Sequence, residues 1–291
     1  MSPKKSYRIT RLTAGLRWLK LSRMAIWFIA LALTLPSFRQ PHQYSKLGQF
    51  SDPIANYTSR SATTPTWGCP LLNAGEKITK HSAYSVSYNH KHMQANWVAY
   101  ELRLSNTIGA AERESRFIVD PIILPRTART EDYTKSGFDR GHLAPAADMK
   151  YSGQAMAESF YTSNISPQRP GLNRGIWKQL EEKIRDWAPA NRPLFIVTGP
   201  VLTDTLSQFI GRYNRISVPK RFYKVVLDTA QPARAIGFVF SNMGSALPLS
   251  SFVLSIDAVE KITGRDFFPN LLDTRENTLE KSLQIQRWNF N

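Results

Sequence analysis

Cysteine is nearly missing from this chain. Cys69 is its single copy, so no internal disulfide and no cysteine-based zinc site can form. Cys69 lies in Trp67-Gly68-Cys69-Pro70, a turn-like stretch that asks only for a small side chain; a bridge to another chain stays open. Acidic residues are absent from the first 51 positions, which carry nine of the 38 Lys and Arg. More than half of the formal charge of +16 belongs to that segment, and only the remainder can report on a substrate-facing surface. No apolar run reaches the roughly 20 residues of a membrane-spanning helix. The run at residues 24–35 (MAIWFIALALTL) is twelve residues long and apolar except for Thr34. Also missing are a Gly-x-Ser-x-Gly elbow, a lysine-bearing glycine-rich phosphate loop and a His-Glu-x-x-His pair. These absences leave serine-hydrolase, P-loop and zinc-peptidase chemistry without support.

Seven basic residues precede the apolar run and few follow closely. That asymmetry keeps the N-terminus in the cytoplasm and sends the rest across a membrane. Twelve apolar residues suit the centre of a signal peptide. Leu33-Thr34-Leu35-Pro36-Ser37 lacks an Ala-x-Ala cleavage pattern, so a retained anchor rivals a cleaved signal. Residues 1–38 are therefore read as a signal peptide or membrane anchor, and the protein as periplasmic, extracellular or anchored facing outward. Mitochondrial import is the alternative, because an acid-free basic N-terminus also fits a transit peptide. Residues 39–75 are rich in Pro, Ser and Thr, lack periodicity and read as a linker. Residues 76–291 are expected to form one α+β domain, and 42% hydrophobic residues can fill its core.

The domain is organised around Phe138-Asp139-Arg140-Gly141-His142-Leu143-Ala144-Pro145. On a strand, Arg140 and His142 share one face. Gly141 leaves the backbone open to close approach by a ligand, and Pro145 ends the strand. An arginine can hold a phosphate oxygen and an imidazole can take a proton from water, a combination that suits a phosphodiester. An ordinary strand with a structural Asp–Arg pair would read the same way, so the octapeptide does not decide alone.

Two further blocks decide. Ser163-Asn164-Ile165-Ser166-Pro167-Gln168 follows, then Leu172-Asn173-Arg174-Gly175-x-Trp177-x-x-Leu180-Glu181. In this order and spacing the three blocks resemble the sugar-non-specific DNA/RNA endonuclease family, part of the ββα-metal superfamily that includes endonuclease G. The resemblance runs over residues 80–270. It implies a ββα-metal nuclease fold with a central, mostly antiparallel sheet flanked by helices. It also implies metal-dependent hydrolysis of DNA and RNA without sequence specificity, using one Mg²⁺ or Mn²⁺ ion.

Within that reading His142 is the candidate general base and Asn173 the candidate metal ligand. A lone amide oxygen suits Mg²⁺, which keeps several of its waters. Glu181 lies eight residues on, about 12 Å along a continuous helix, so it is expected to reach the ion through water. The resemblance assigns Asp139 to the support of the metal environment. Arg140 spreads the charge of the transition state. Arg116, before the Asp120-Pro121 step, matches the family's phosphate-binding arginine. Asn164 is expected to brace the loop. The partners are DNA and RNA, and a homodimer stays open. A membrane-held nucleic-acid-binding protein without catalysis is the competing class.

Periodicity supplies the remaining expectations. Strands are expected at residues 83–88, 97–104, 161–166, 194–198, 222–227 and 233–240. His90-x-His92 between the first two reads as a polar turn. Helices are expected at residues 148–160, 172–187 and 255–263, and residues 265–291 as a C-terminal edge. Leu172, Ile176, Leu180 and Ile184 give the second helix an apolar stripe. Strand, strand, helix is the ββα order, with the first helix inserted between the strands.

Overall fold

A computed structural model describes residues 68–203, 205–271, 279–283 and 285–290. The apolar run at 24–35 and the linker up to residue 67 lie outside them. Among the described residues no helix is long and apolar enough to cross a membrane.

Chain order is β1 (Thr79–Lys80), β2 (Tyr84–Asn89), β3 (Gln94–Leu102), β4 (Asp139–His142), α1 (Gly153–Ser159), β5 (Ile165–Gln168) and α2 (Trp177–Trp187). Then come β6 (Leu194–Pro200), β7 (Phe209–Ile210), β8 (Ile216–Ser217), β9 (Arg221–Asp228), β10 (Arg234–Ser241), β11 (Val253–Leu254) and α3 (Ile256–Thr263). Seven strands form one antiparallel sheet in the order β1-β2-β3-β6-β9-β10-β11. The pairs β4-β5 and β7-β8 stand apart from it. The fold is α+β, and β4, β5 and α2 make the ββα unit, with α1 inserted as expected.

The sheet is buried on both faces because its strands alternate. Val98, Tyr100, Ile196, Phe222, Val226 and Phe238 pack with the Leu172, Ile176, Leu180 and Ile184 stripe. Trp97, Ala99, Val197, Tyr223, Val225 and Leu227 pack with Ile256 and Val259 of α3. Ser255 caps α3 by accepting from the Ala258 amide, and Gly264 ends it at φ 66°.

Several boundaries differ from the periodicity. β3 begins three residues early, at Gln94, because buried polar groups there are satisfied across the fold. Gln94 Nε2 donates to Ser217 O at 2.7 Å, and Ser166 Oγ donates to Gln94 Oε1 at 2.5 Å. The helix expected at 148–160 splits into a single turn at Ala146–Met149 and α1, since the Ser152 side chain caps a new start. Its Met149, Met156 and Phe160 are buried. The strand expected at 161–166 begins at Ile165, after a tight turn at Thr162–Asn164 whose Asn164 side chain is fully committed to neighbouring backbone. The second helix starts at Trp177, because Gly175 departs from helical dihedrals (φ −104°, ψ −116°). Residues 265–291 contribute no strand among the described residues; Trp288 packs on Trp187 at 4.8 Å and closes the core.

One charge is built into the core beneath the ββα unit. Lys224 of β9 is 0% exposed, between the apolar Phe222 and Val226 of its own face. Its Nζ donates to Leu143 O at 3.2 Å and lies 4.8 Å from the Trp177 ring centroid. Glu181, Asp148 and Arg185 complete a group of two acids and two bases. Arg185 donates to Asp148 Oδ1 at 2.9 Å and Tyr100 Oη to Asp148 Oδ2 at 3.0 Å. Burial pushes the Lys224 ammonium down and the Glu181 carboxyl up, while their mutual attraction opposes both shifts. Lys224→Met leaves two carboxylates to one arginine. Its unfolding free energy in urea is expected to fall by about 3 kcal/mol, the usual cost of breaking a buried pair. An unchanged urea midpoint would contradict this account of the core.

Candidate active site

β4 and β5 are four residues each, too short to stand alone, and the main sheet supports them through Lys224 and Gln94. Register pairs Gly141 with Ser166 and His142 with Ile165. Gly141 serves the fold rather than a ligand: a Cβ there would overlap the side chain of Gln168, which is fully buried beneath it. The ligand expected to approach at this glycine is excluded, because Gln168 fills the space.

Arg140 and His142 emerge on one face, where Phe117 packs against both. The Phe117 ring centroid is 5.3 Å from that of His142, and the Arg140 Cζ is 5.7 Å from it. Phe160 meets the imidazole edge-on at 4.8 Å. This aromatic enclosure, and secondly the charge of Arg113, lowers the His142 pKa to about 3. The imidazole is neutral at working pH, and its Nε2 is enclosed without a hydrogen-bond partner. Arg140 donates to Thr130 O at 2.7 Å and to Thr134 Oγ1 at 3.3 Å, leaving its Nε enclosed and unpartnered.

Asp139 points to the other side and meets the kinked turn before α2. Its Oδ2 accepts from Asn173 Nδ2 at 2.9 Å and Arg174 Nε at 2.8 Å, and its Oδ1 from the other Arg174 nitrogen at 2.7 Å. Burial pushes this carboxyl up, but the Arg174 and Asn173 hydrogen bonds outweigh it and hold it below the usual range. The amide orientation of Asn173 follows. With Nδ2 turned to Asp139, Oδ1 faces away and takes no hydrogen bond from the described residues. A free, oriented amide oxygen fits a hard divalent ion that keeps its own waters. Among the described residues the one triad of metal-binding side chains is Asp257, Glu260 and Glu280, on the α3 side of the sheet. Glu181 belongs to the Lys224 group, with its carboxyl raised to about 7, first by burial. The Gly175 kink removes the continuous helix from which the 12 Å separation of Asn173 and Glu181 was reckoned.

Asn164 is 0% exposed and makes three hydrogen bonds. It accepts from Ala144 N at 2.9 Å and donates to Ala144 O at 2.9 Å and Ser159 O at 2.8 Å. These fix the chain immediately after His142. The neighbouring Ser163 donates to Asp120 Oδ2, which also meets His81 Nε2 at 3.0 Å. The arginine loop before Asp120 is thus anchored at one end.

The two arginines of that loop differ. Arg116 is exposed and makes no ion pair or hydrogen bond among the described residues. Arg113 lies over the Phe160 ring at 5.1 Å and its charge acts on His142. Sequence reading passed over Arg113, Arg174 and Lys224. Nothing local marks Arg113 or Lys224, although Arg113 lies only three residues from Arg116; Arg174 stands inside the Leu172–Glu181 block, which gives it no role of its own. Arg113→Gln is expected to raise the His142 pKa measured by NMR titration, because a positive charge beside an imidazole disfavours its protonated form. Arg116→Gln should leave it unchanged. The opposite ranking would show that Arg116 is the arginine facing the imidazole.

Comparison with known proteins bears on the family and the fold. The DNA/RNA non-specific endonuclease family model matches residues 64–274. The mitochondrial nuclease EXOG of Danio rerio is 36% identical over 218 residues, 69% of this chain and 63% of that protein. The mitochondrial endonuclease G of Homo sapiens is 32% identical over 221 residues, 71% of this chain and 73% of that protein. The chain thus spans under two thirds of the zebrafish relative. A crystal structure of the EndoG/EndoGI complex, reporting the mechanism of EndoG inhibition, superposes with a TM-score of 0.62 at 28% identity, over 68% of this chain and 88% of that one. The chain belongs to the DNA/RNA non-specific endonuclease family.

Proposed function

We propose that the domain at 76–291 is a metal-dependent endonuclease that hydrolyses DNA and RNA phosphodiesters without reading sequence. The observation that carries this is the pairing of an enclosed neutral imidazole on β4 with an oriented, uncommitted amide oxygen at Asn173. His142 takes a proton from the attacking water, its pKa raised from the resting value of about 3 by the negative phosphate bound beside it. Its Nε2 is enclosed, so the proton goes to Nδ1. Arg140 meets the Phe117 ring and Arg113 the Phe160 ring, and both rings pack on the imidazole. Arg113 takes the phosphate-binding role that the family resemblance gave to Arg116. Both arginines favour the transition state by offsetting charge that develops on the phosphate.

Asn173 would hold one Mg²⁺ or Mn²⁺ through Oδ1, with Asp139 and Arg174 fixing the amide. Bound there, the ion would polarise the phosphate and stabilise the departing oxygen. Glu181 acts through water or through the Lys224 group. Asn164 keeps His142 in place.

The leader is read as carrying this domain across a membrane, away from the cell's own nucleic acid. The names of the EXOG and endonuclease G relatives carry a mitochondrial location, which favours import over export. Homodimer formation has no support among the described residues.

Plasmid cleavage separates this reading from a protein that only binds nucleic acid. The wild-type chain is expected to cut with Mg²⁺ and to stop with chelator. His142→Ala should lower the rate by about 10²–10⁴-fold while the DNA is still retarded in a gel. A wild-type rate from this variant removes His142 as the base. Asn173→Ala should lower the rate and also raise the Mg²⁺ concentration needed for half-maximal rate. Glu181→Gln should do less, roughly 10–100-fold, as expected of a residue acting at one remove from an ion. Equal metal requirements in wild type and Asn173→Ala would free Asn173 of the ligand role.

A further inference from the structure

Residues 209–215, from β7 into the turn before β8, present exposed aromatic rings faced by arginines. Tyr213 is 50% exposed, with the Arg129 Cζ 5.2 Å and the Arg212 Cζ 5.3 Å from its ring centroid. Phe209 is 37% exposed, with the Arg215 Cζ 3.6 Å from its centroid. All three arginines are exposed, as is Lys135 nearby. One exposed acid, Glu131, lies among them.

The rings are not needed to hold this segment together. Asp132 does that: its Oδ1 accepts from the backbone amides of Arg212, Tyr213 and Asn214 at 3.0, 2.6 and 3.1 Å. Its Oδ2 accepts from Asn214 Nδ2 at 2.6 Å and from Arg129 N at 2.9 Å. The same turn, Thr130–Tyr133, receives Arg140 through Thr130 O. The turn that holds residues 212–214 through Asp132 is thus the one that Arg140 of the β4 face binds. Exposed rings beside guanidinium groups, in a net positive surround, match the way unpaired bases and their phosphates are held.

We infer that Tyr213, flanked by Arg129 and Arg212, is a stacking site for an unpaired base of the strand that runs on from the phosphate at Arg140. This rests on the nuclease reading and adds a substrate class to it. Every base has a stacking face, so the site is indifferent to sequence. A base inside a duplex is already stacked, so the site favours single-stranded or frayed nucleic acid over intact duplex.

The test is fluorescence anisotropy of a labelled single-stranded DNA oligonucleotide and its duplex, with the full chain in chelator so that nothing is cut. Tyr213→Ala is expected to weaken single-strand binding by roughly 5- to 150-fold, the range found for one stacked base. Duplex binding should change much less, and Tyr213→Phe, which keeps the ring, should bind like wild type. Circular dichroism of each variant confirms that it folds. Single-strand binding unchanged in a folded Tyr213→Ala overturns the stacking site and leaves the nuclease reading standing. Equal losses for single strand and duplex also overturn it, since they mark a nonspecific surface change. Failure of the wild-type chain to bind either oligonucleotide overturns this inference, and failure to cleave as well would overturn the nuclease reading.

Discussion

The carboxylate of Asp139 is the constraint on which the site depends. It accepts three hydrogen bonds from two consecutive residues, Asn173 and Arg174. A side-chain amide is free to turn over unless a neighbour distinguishes its oxygen from its nitrogen. Asp139, held in its charged form, makes that distinction. Asn173 Oδ1 therefore faces one way only. The bond also ties β4 to the turn before α2, so the strand that carries His142 and the turn that carries Asn173 are positioned as one unit. The Gly175 kink belongs to the same arrangement, because it separates this turn from the regular helix that follows.

The main sheet reaches this unit through polar groups rather than through packing alone. Lys224 of β9 holds the Leu143 carbonyl just past His142. Gln94 of β3 receives Ser166 of β5. Asn242, at the end of β10, donates to Pro167 O at 3.0 Å and accepts from Arg169 N at 2.8 Å. Buried polar contacts of this kind are directional, and they fix orientation in a way that apolar burial does not. Two four-residue strands that could not stand alone are thereby held in one orientation, as the role proposed for His142 requires.

Much of this was legible in the chain, and the parts that were not share a cause. The Leu172, Ile176, Leu180 and Ile184 stripe, the capped α3 and the long sheet strands all follow from period and caps, which are local signals. The motif blocks placed Asp139, Arg140, His142, Asn164 and Asn173 near one another because they recur together in a known family. What failed was anything set by contacts far along the chain. Gln94 looks like the end of a turn until Ser166 and Ser217 satisfy it. Lys224 looks like a surface lysine inside an alternating strand until Glu181, Asp148 and Leu143 surround it. Gly141 looks like room for a ligand until Gln168 fills the space. Arg113 and Arg116 cannot be told apart by spacing, since the loop path decides which one meets Phe160.

The central claim is that one divalent ion sits on the amide oxygen of Asn173, beside a neutral His142. Crystals of the intact chain soaked in Mn²⁺ and measured for anomalous scattering test this most directly. The account predicts a single strong anomalous peak within bonding distance of Asn173 Oδ1, roughly 2.0–2.2 Å for a small hard cation. The remaining ligands should be waters, with Asp139 still bonded to Asn173 Nδ2. A peak coordinated by Asp139 or His142, or one found only at Asp257, Glu260 and Glu280, would contradict it.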